Sequence, residues 1–146
     1  MNKRLGLLLA SGVVLAACGS VSPSSAMSKW LSQSQFRANL STLQADVLAS
    51  AKQLRLASAT PNDLHTVCAV LDIDVESLNA SLPTPDKQST ALLAKAYNDL
   101  GAGANQCYAA DSRSSVRTSA LDWLNKGMAA LSEGSARLRV ASGAAP

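Results

Sequence analysis

Few residues in this chain have chemistry to offer. Its 146 residues contain three cysteines, Cys18, Cys68 and Cys107, and one histidine, His65. A general base needs a nucleophile and an orienting partner within hydrogen-bond reach, and the spacing around His65 supplies neither. A bundle-type metal site needs a companion histidine or glutamate one turn away, and His65 has none. It falls off the apolar stripe of its helix and reads as a solvated surface side chain. Residues 61–86 hold Asp63, Asp72, Asp74, Glu76 and Asp86 with no Lys or Arg between them. Calcium would need several oxygens converging from a tight loop turned by Gly, which this stretch lacks. The acids read as a solvated face pairing with cations of adjacent helices, or as a docking surface in which Val70 and Ile73 form an apolar patch ringed by acid. No catalytic, metal-binding or cofactor-binding set emerges.

The most informative chemistry is that of Cys18. It closes the run Leu15-Ala16-Ala17-Cys18, preceded by a basic start (Asn2-Lys3-Arg4) and an uncharged apolar segment. A positive end, a short apolar middle and small residues at the cut are the plan of a secretory signal peptide. The apolar run is shorter than the roughly 20 residues that span a bilayer. Leu-Ala-Ala-Cys resembles the lipobox of bacterial lipoprotein precursors at each position. The resemblance implies a diacylglyceryl thioether on Cys18 and cleavage after Ala17, with acylation (palmitate-type chains) of the new amine. Residues 1–17 are then the signal peptide. The alternative is an ordinary secreted protein cut near Ala26, with Cys18 discarded.

Export changes the charge balance. Losing residues 1–17 removes Lys3 and Arg4, so 11 basic residues face 10 acidic ones in the remaining 129. Nucleic acid binding wants clustered Lys and Arg, and aromatic residues for stacking make up only 3% of the chain. Nucleic acid is therefore excluded as a partner. With Cys18 assigned to lipid, Cys68 and Cys107 remain as an even pair in an oxidising compartment, which predicts a disulfide. Two separate buried thiols are the other possibility.

An Ala-, Leu- and Ser-rich composition poor in β-branched and aromatic residues favours helix. Residues 18–27 are small and hydroxylated, and predict a flexible tether. Phe36, Leu40, Leu43, Val47, Ala51 and Leu54 then mark one stripe of a long helix over 28–58. At its start Trp30 and Leu31 lie off the stripe, either capping the end of a bundle or dipping into a lipid interface. Thr60-Pro61 starts a second helix carrying Leu64, Cys68, Leu71, Val75 and Leu78. The alternation of Leu71 to Glu76 is strand-like, but no second strand exists to pair with it. Thr84-Pro85-Asp86 repeats the starting device for a third helix, whose face is Leu93, Ala96, Leu100, Ala104 and Cys107. Asp111 or Ser112 caps a fourth with Val116, Ala120, Leu124, Leu131 and Leu138 inward. Its Gly127 and Gly134 predict either close helix packing or a narrow ligand cavity, and 142–146 a frayed tail.

Short loops between helices make antiparallel neighbours, so the expected architecture is an up-down four-helix bundle over 28–141. Antiparallel second and third helices would bring Cys68 level with Cys107. In style the chain is similar to small, Ala-rich, helical lipoproteins of high-GC Gram-positive bacteria. That resemblance implies attachment to the outer face of the cell membrane, or the outer membrane where two exist. The expected role is a non-enzymatic, lipid-anchored envelope module that meets a protein partner or serves structurally. The alternative is a carrier or sensor holding a small apolar ligand between helices.

Overall fold

Residues 22–111 and 113–144 are described by the computed structural model. They form five helices: α1 (Pro23–Gln33), α2 (Phe36–Arg55), α3 (Pro61–Asn79), α4 (Lys87–Tyr108) and α5 (Ser114–Ala141). No strand occurs among the described residues. Leu71–Glu76 lies inside α3, where Leu71 and Val75 are buried and Ile73 is 65% exposed.

The helix expected over 28–58 is two helices. Gln35 takes a left-handed conformation (φ 49°) between α1 and α2, a position that costs a non-glycine residue on the order of 1–2 kcal/mol. Burial offsets that strain. The bend lays Trp30 over Phe36, ring centroids 5.5 Å apart, and lets its Nε1 donate to the Ser81 carbonyl at 3.0 Å. Met27 is carried fully into the core by the same bend. Trp30 thus closes one end of the helix assembly.

α1 also begins earlier than the composition predicts, taking Pro23–Met27 from the expected 18–27 tether. Ser22 accepts from the Ser25 amide at 3.2 Å and Pro23 occupies the first helical position. The Thr60-Pro61 start is as expected, with Thr60 and Asp63 in a reciprocal capping box. For α4 the cap is Asp86, not Thr84. Its carboxylate accepts from the Ser89 amide at 2.8 Å, while the Thr84 hydroxyl donates to the Asp86 carbonyl at 2.7 Å. α5 is preceded by Arg113 without a side-chain cap, and Asp111 accepts the Arg113 amide one turn earlier. At the other end Ser142–Ala144 is a closed turn, with Gly143 left-handed and the Ala144 amide bonded to the Arg139 carbonyl.

Contact registers run in opposite senses along neighbouring helices. Gly103, Gly127 and Gly134 abut Leu124, Leu100 and Leu93, so α4 and α5 run antiparallel. Val75 meets Gly101 while Cys68 meets Cys107, giving α3 and α4 the same relation. The four apolar stripes read from the sequence all point inward, from Leu43 and Leu54 through Leu64, Leu93 and Leu100 to Leu124 and Leu131. The seam at Gly127 and Gly134 is filled by Leu100 and Leu93, so close packing explains those glycines and a ligand cavity there does not.

Candidate functional site

Cys18 and the whole export segment lie outside the described residues. Cys68 and Cys107, separated by 39 positions in sequence, are brought to disulfide distance, with Cα atoms 5.8 Å apart. Both are fully buried. The bridge ties the first half of α3 to the last turns of α4.

His65 is not simply solvated. It is half-buried and stacks on Tyr108, ring centroids 4.3 Å apart and planes 13° from parallel. The stack stands beside a small surface cleft lined by Asp72, Ile73, Asn105 and Tyr108. The acidic stretch is partly spent on structure. Asp63 serves its capping box, where the Thr60 hydroxyl and amide hold its carboxyl below the ordinary range. Asp86 caps α4 and takes both Arg137 bonds at 2.9 Å, and the guanidinium beside it holds its carboxyl far below the usual range. Asp74 faces Asp46 of α2, and among the described residues the buried Oδ2 atoms of this acid pair have no partner outside it. Sharing a hydrogen bond with Asp74, together with partial burial and repulsion from it, raises the Asp46 carboxyl to about 6. Among the described residues no three His, Cys, Asp or Glu side chains converge as a metal site would require.

Two clefts lie at opposite ends of the helices. The larger, about 660 Å³, is lined by Leu54, Arg55, Ala59, Arg117 and Leu121. Its central cation is already engaged, because Arg117 donates to the carbonyls of Leu56, Ala59 and Asp111 at 2.8, 2.9 and 2.7 Å. That fork clamps two loops together and commits three of the guanidinium's five donors to the fold. The second cleft, about 300 Å³, opens where α1, the start of α2 and the end of α5 meet. Leu31, Phe36, Leu40 and Leu138 form its walls, and Arg37 and Arg139 stand at its rim. Both arginines are exposed, and among the described residues neither forms an ion pair.

This cleft was hidden in the sequence because its walls come from three helices. One signal did point to it. The first acidic residue of the chain is Asp46 and the last is Glu133, so both ends of the chain carry only cations. The fold gathers the described part of those ends, with Ser24 of α1 against Gly143.

No family model matches the chain, and no curated protein or solved structure is similar enough to set beside it. Among the described residues no helix is long and apolar enough to cross a membrane.

Proposed function

We propose that the chain is a lipid-anchored lipoprotein of the bacterial cell envelope, and that its helical domain works without catalysis as a scaffold or docking module. The observation that carries this reading is Leu15-Ala16-Ala17-Cys18, closing a basic start and a short apolar run. The anchor would sit on Cys18, on the extracytoplasmic face of the membrane. The finer architecture is an up-down arrangement of α2 to α5 with α1 folded across one end, stapled by Cys68–Cys107 in an oxidising compartment. Helix α1 starts at Pro23, so only Gly19–Ser22 separate its first residue from the anchor. Four extended residues reach about 13–14 Å. The end holding α1 therefore rides close to the bilayer. The opposite end, with the α2–α3 and α4–α5 loops, faces away and is available to a protein partner. Val70 and Ile73, with Asp72 between them, offer that partner an exposed apolar and acidic surface on α3.

A radiolabelled fatty acid tests the anchor. Expressed in a bacterial host, the protein is expected to incorporate label and sediment with membranes, and Cys18→Ala to lose the label and escape to the periplasm or medium. A labelled, membrane-bound Cys18→Ala variant overturns the assignment. The carrier reading draws on the second cleft, whose apolar walls and cationic rim are the features a ligand with a chain and a charge would need. Solvent extraction of purified protein with mass spectrometry separates the two, since a carrier yields a stoichiometric lipid and a scaffold does not.

A further inference from the structure

We infer that the cleft between α1, α2 and α5 binds a single anionic phospholipid of the membrane, its phosphate between Arg37 and Arg139 and part of one acyl chain against Leu31, Phe36, Leu40 and Leu138. Three observations converge on that ligand. The first is the pairing of chemistries. Four apolar side chains wall a space of about 300 Å³, at the lower end of the range for small-molecule sites. That volume suits a headgroup and a stretch of chain better than a whole lipid withdrawn from the bilayer. The cleft is open to solvent, so the remainder of the lipid can stay in the membrane.

The second observation is charge. Of the other arginines, Arg113 is engaged by Asp111, Arg117 by three carbonyls and Arg137 by Asp86, while Arg55 lines the cleft at the opposite end. Among the described residues Arg37 and Arg139 pair with no acid. The nearest acids in sequence, Asp46 and Glu133, form no ion pair with either of them. A guanidinium presents a planar fork that matches phosphate, so two unpaired ones at an apolar opening complement an anionic head. The third observation is place. The cleft opens at the end of the molecule where the chain enters α1. That end adjoins the bilayer if Cys18 is acylated, so the choice of a membrane lipid rests on the proposed anchor. The charge and shape of the cleft do not.

Trp30 reports on the site, since its ring contacts Phe36 in the cleft wall. The probe protein is the chain from residue 18 onward with Cys18→Ser, which removes any covalent lipid, and Trp123→Phe, which removes the other indole. Titrated with phosphatidylcholine vesicles containing phosphatidylglycerol, its emission is expected to shift to the blue and saturate. Pure phosphatidylcholine vesicles should leave it unchanged. Arg37→Gln with Arg139→Gln should weaken the response about 25-fold, roughly fivefold for each cation near an anionic surface. Lys52→Gln with Arg55→Gln removes the same charge from the far end of α2 and should change it less than twofold. Ser135→Phe, whose ring would fill the cleft while sparing both arginines, should abolish the shift. An equal response to neutral vesicles, equal weakening by the two charge-matched pairs, or normal binding by Ser135→Phe each overturns the proposal. Because the probe carries no thioether, these results do not depend on fatty-acid labelling. A chain that takes no label yet passes every arm retains the site and loses only the anchor.

Discussion

Replacing Gly127 by alanine should destabilise the protein, although alanine is the better helix former. A methyl group at Gly127 would stand 2.6 Å from Leu100 Cγ, 2.7 Å from its Cδ2 and 2.9 Å from its backbone nitrogen. The side chain has room to rotate away, but the backbone nitrogen moves only if α4 and α5 separate. Overpacking of this kind costs about 1–3 kcal/mol, and the helix propensity of alanine returns about 1 kcal/mol. With three contacts below 3.0 Å, the balance falls at a loss of about 1–2 kcal/mol. Gly101 provides the internal comparison, since a methyl group there meets only Val75 Cγ1 at an ordinary 3.7 Å. Gly101→Ala should gain about 0.5–1 kcal/mol. Urea unfolding followed by far-ultraviolet circular dichroism reads both variants against the parent. In thermal melts the two should shift in opposite directions, by about 3–5 °C per kcal/mol for a domain of this size. A Gly127→Ala protein as stable as its parent, or a Gly101→Ala protein equally damaged, would refute the close-packed seam as the reason for glycine at 127.

Reducing the Cys68–Cys107 pair frees a loop of about 40 residues in the unfolded chain and should lower stability by about 4 kcal/mol; mass measurement of protein from an oxidising compartment should show two hydrogens missing, and two free thiols would contradict the bridge. The Asp46–Asp74 pair sets a pH dependence. Raised to about 6, the Asp46 carboxyl binds its proton more tightly folded than unfolded, so stability increases as pH falls from above 6 towards about 4, and no further below. Asp46→Asn should flatten that part of the profile, and an unchanged profile in melts at stepped pH would exclude the pair as its source. Arg117→Ala unclamps the α2–α3 and α4–α5 loops and should cost about 2–3 kcal/mol in urea unfolding, because three carbonyls lose a charged donor. Arg117→Lys, which offers no fork, should recover less than half of it.

The long stripes were legible because burial follows helical periodicity with little competition. Leu64, Leu71, Val75 and Leu78 lie inside as spaced, as do Leu93, Leu100 and Leu124. The break at Gln35 was not legible, since no Gly or Pro marks it. It exists because Trp30 finds both Phe36 and the Ser81 carbonyl, a contact 51 residues away in sequence that no local pattern encodes. The early start of α1 was readable, because Ser22-Pro23 is the same cap-and-proline device as Thr60-Pro61, obscured by the serines around it. The cap of α4 moved from Thr84 to Asp86 for a tertiary reason, the pull of Arg137 on the carboxylate it shares with Ser89. The cationic cleft could be anticipated only as two acid-free chain ends, because its apolar walls assemble from three separate helices.

The elbow at Gln35 also decides how the molecule would respond to mechanical load. If the chain is anchored at Cys18 as proposed, a partner holding its far end would pull it through α1 first. That helix has 11 residues, and it joins the rest through two non-helical ones. Its contacts peel one turn at a time, whereas α4 and α5 would have to shear along their length together. Stretching α1 from about 1.5 to about 3.4 Å per residue adds roughly 20 Å of reach before any force acts on the four longer helices. An optical trap should register that extension as a separate low-force step, and Gln35→Pro, by loosening the elbow, should lower it further.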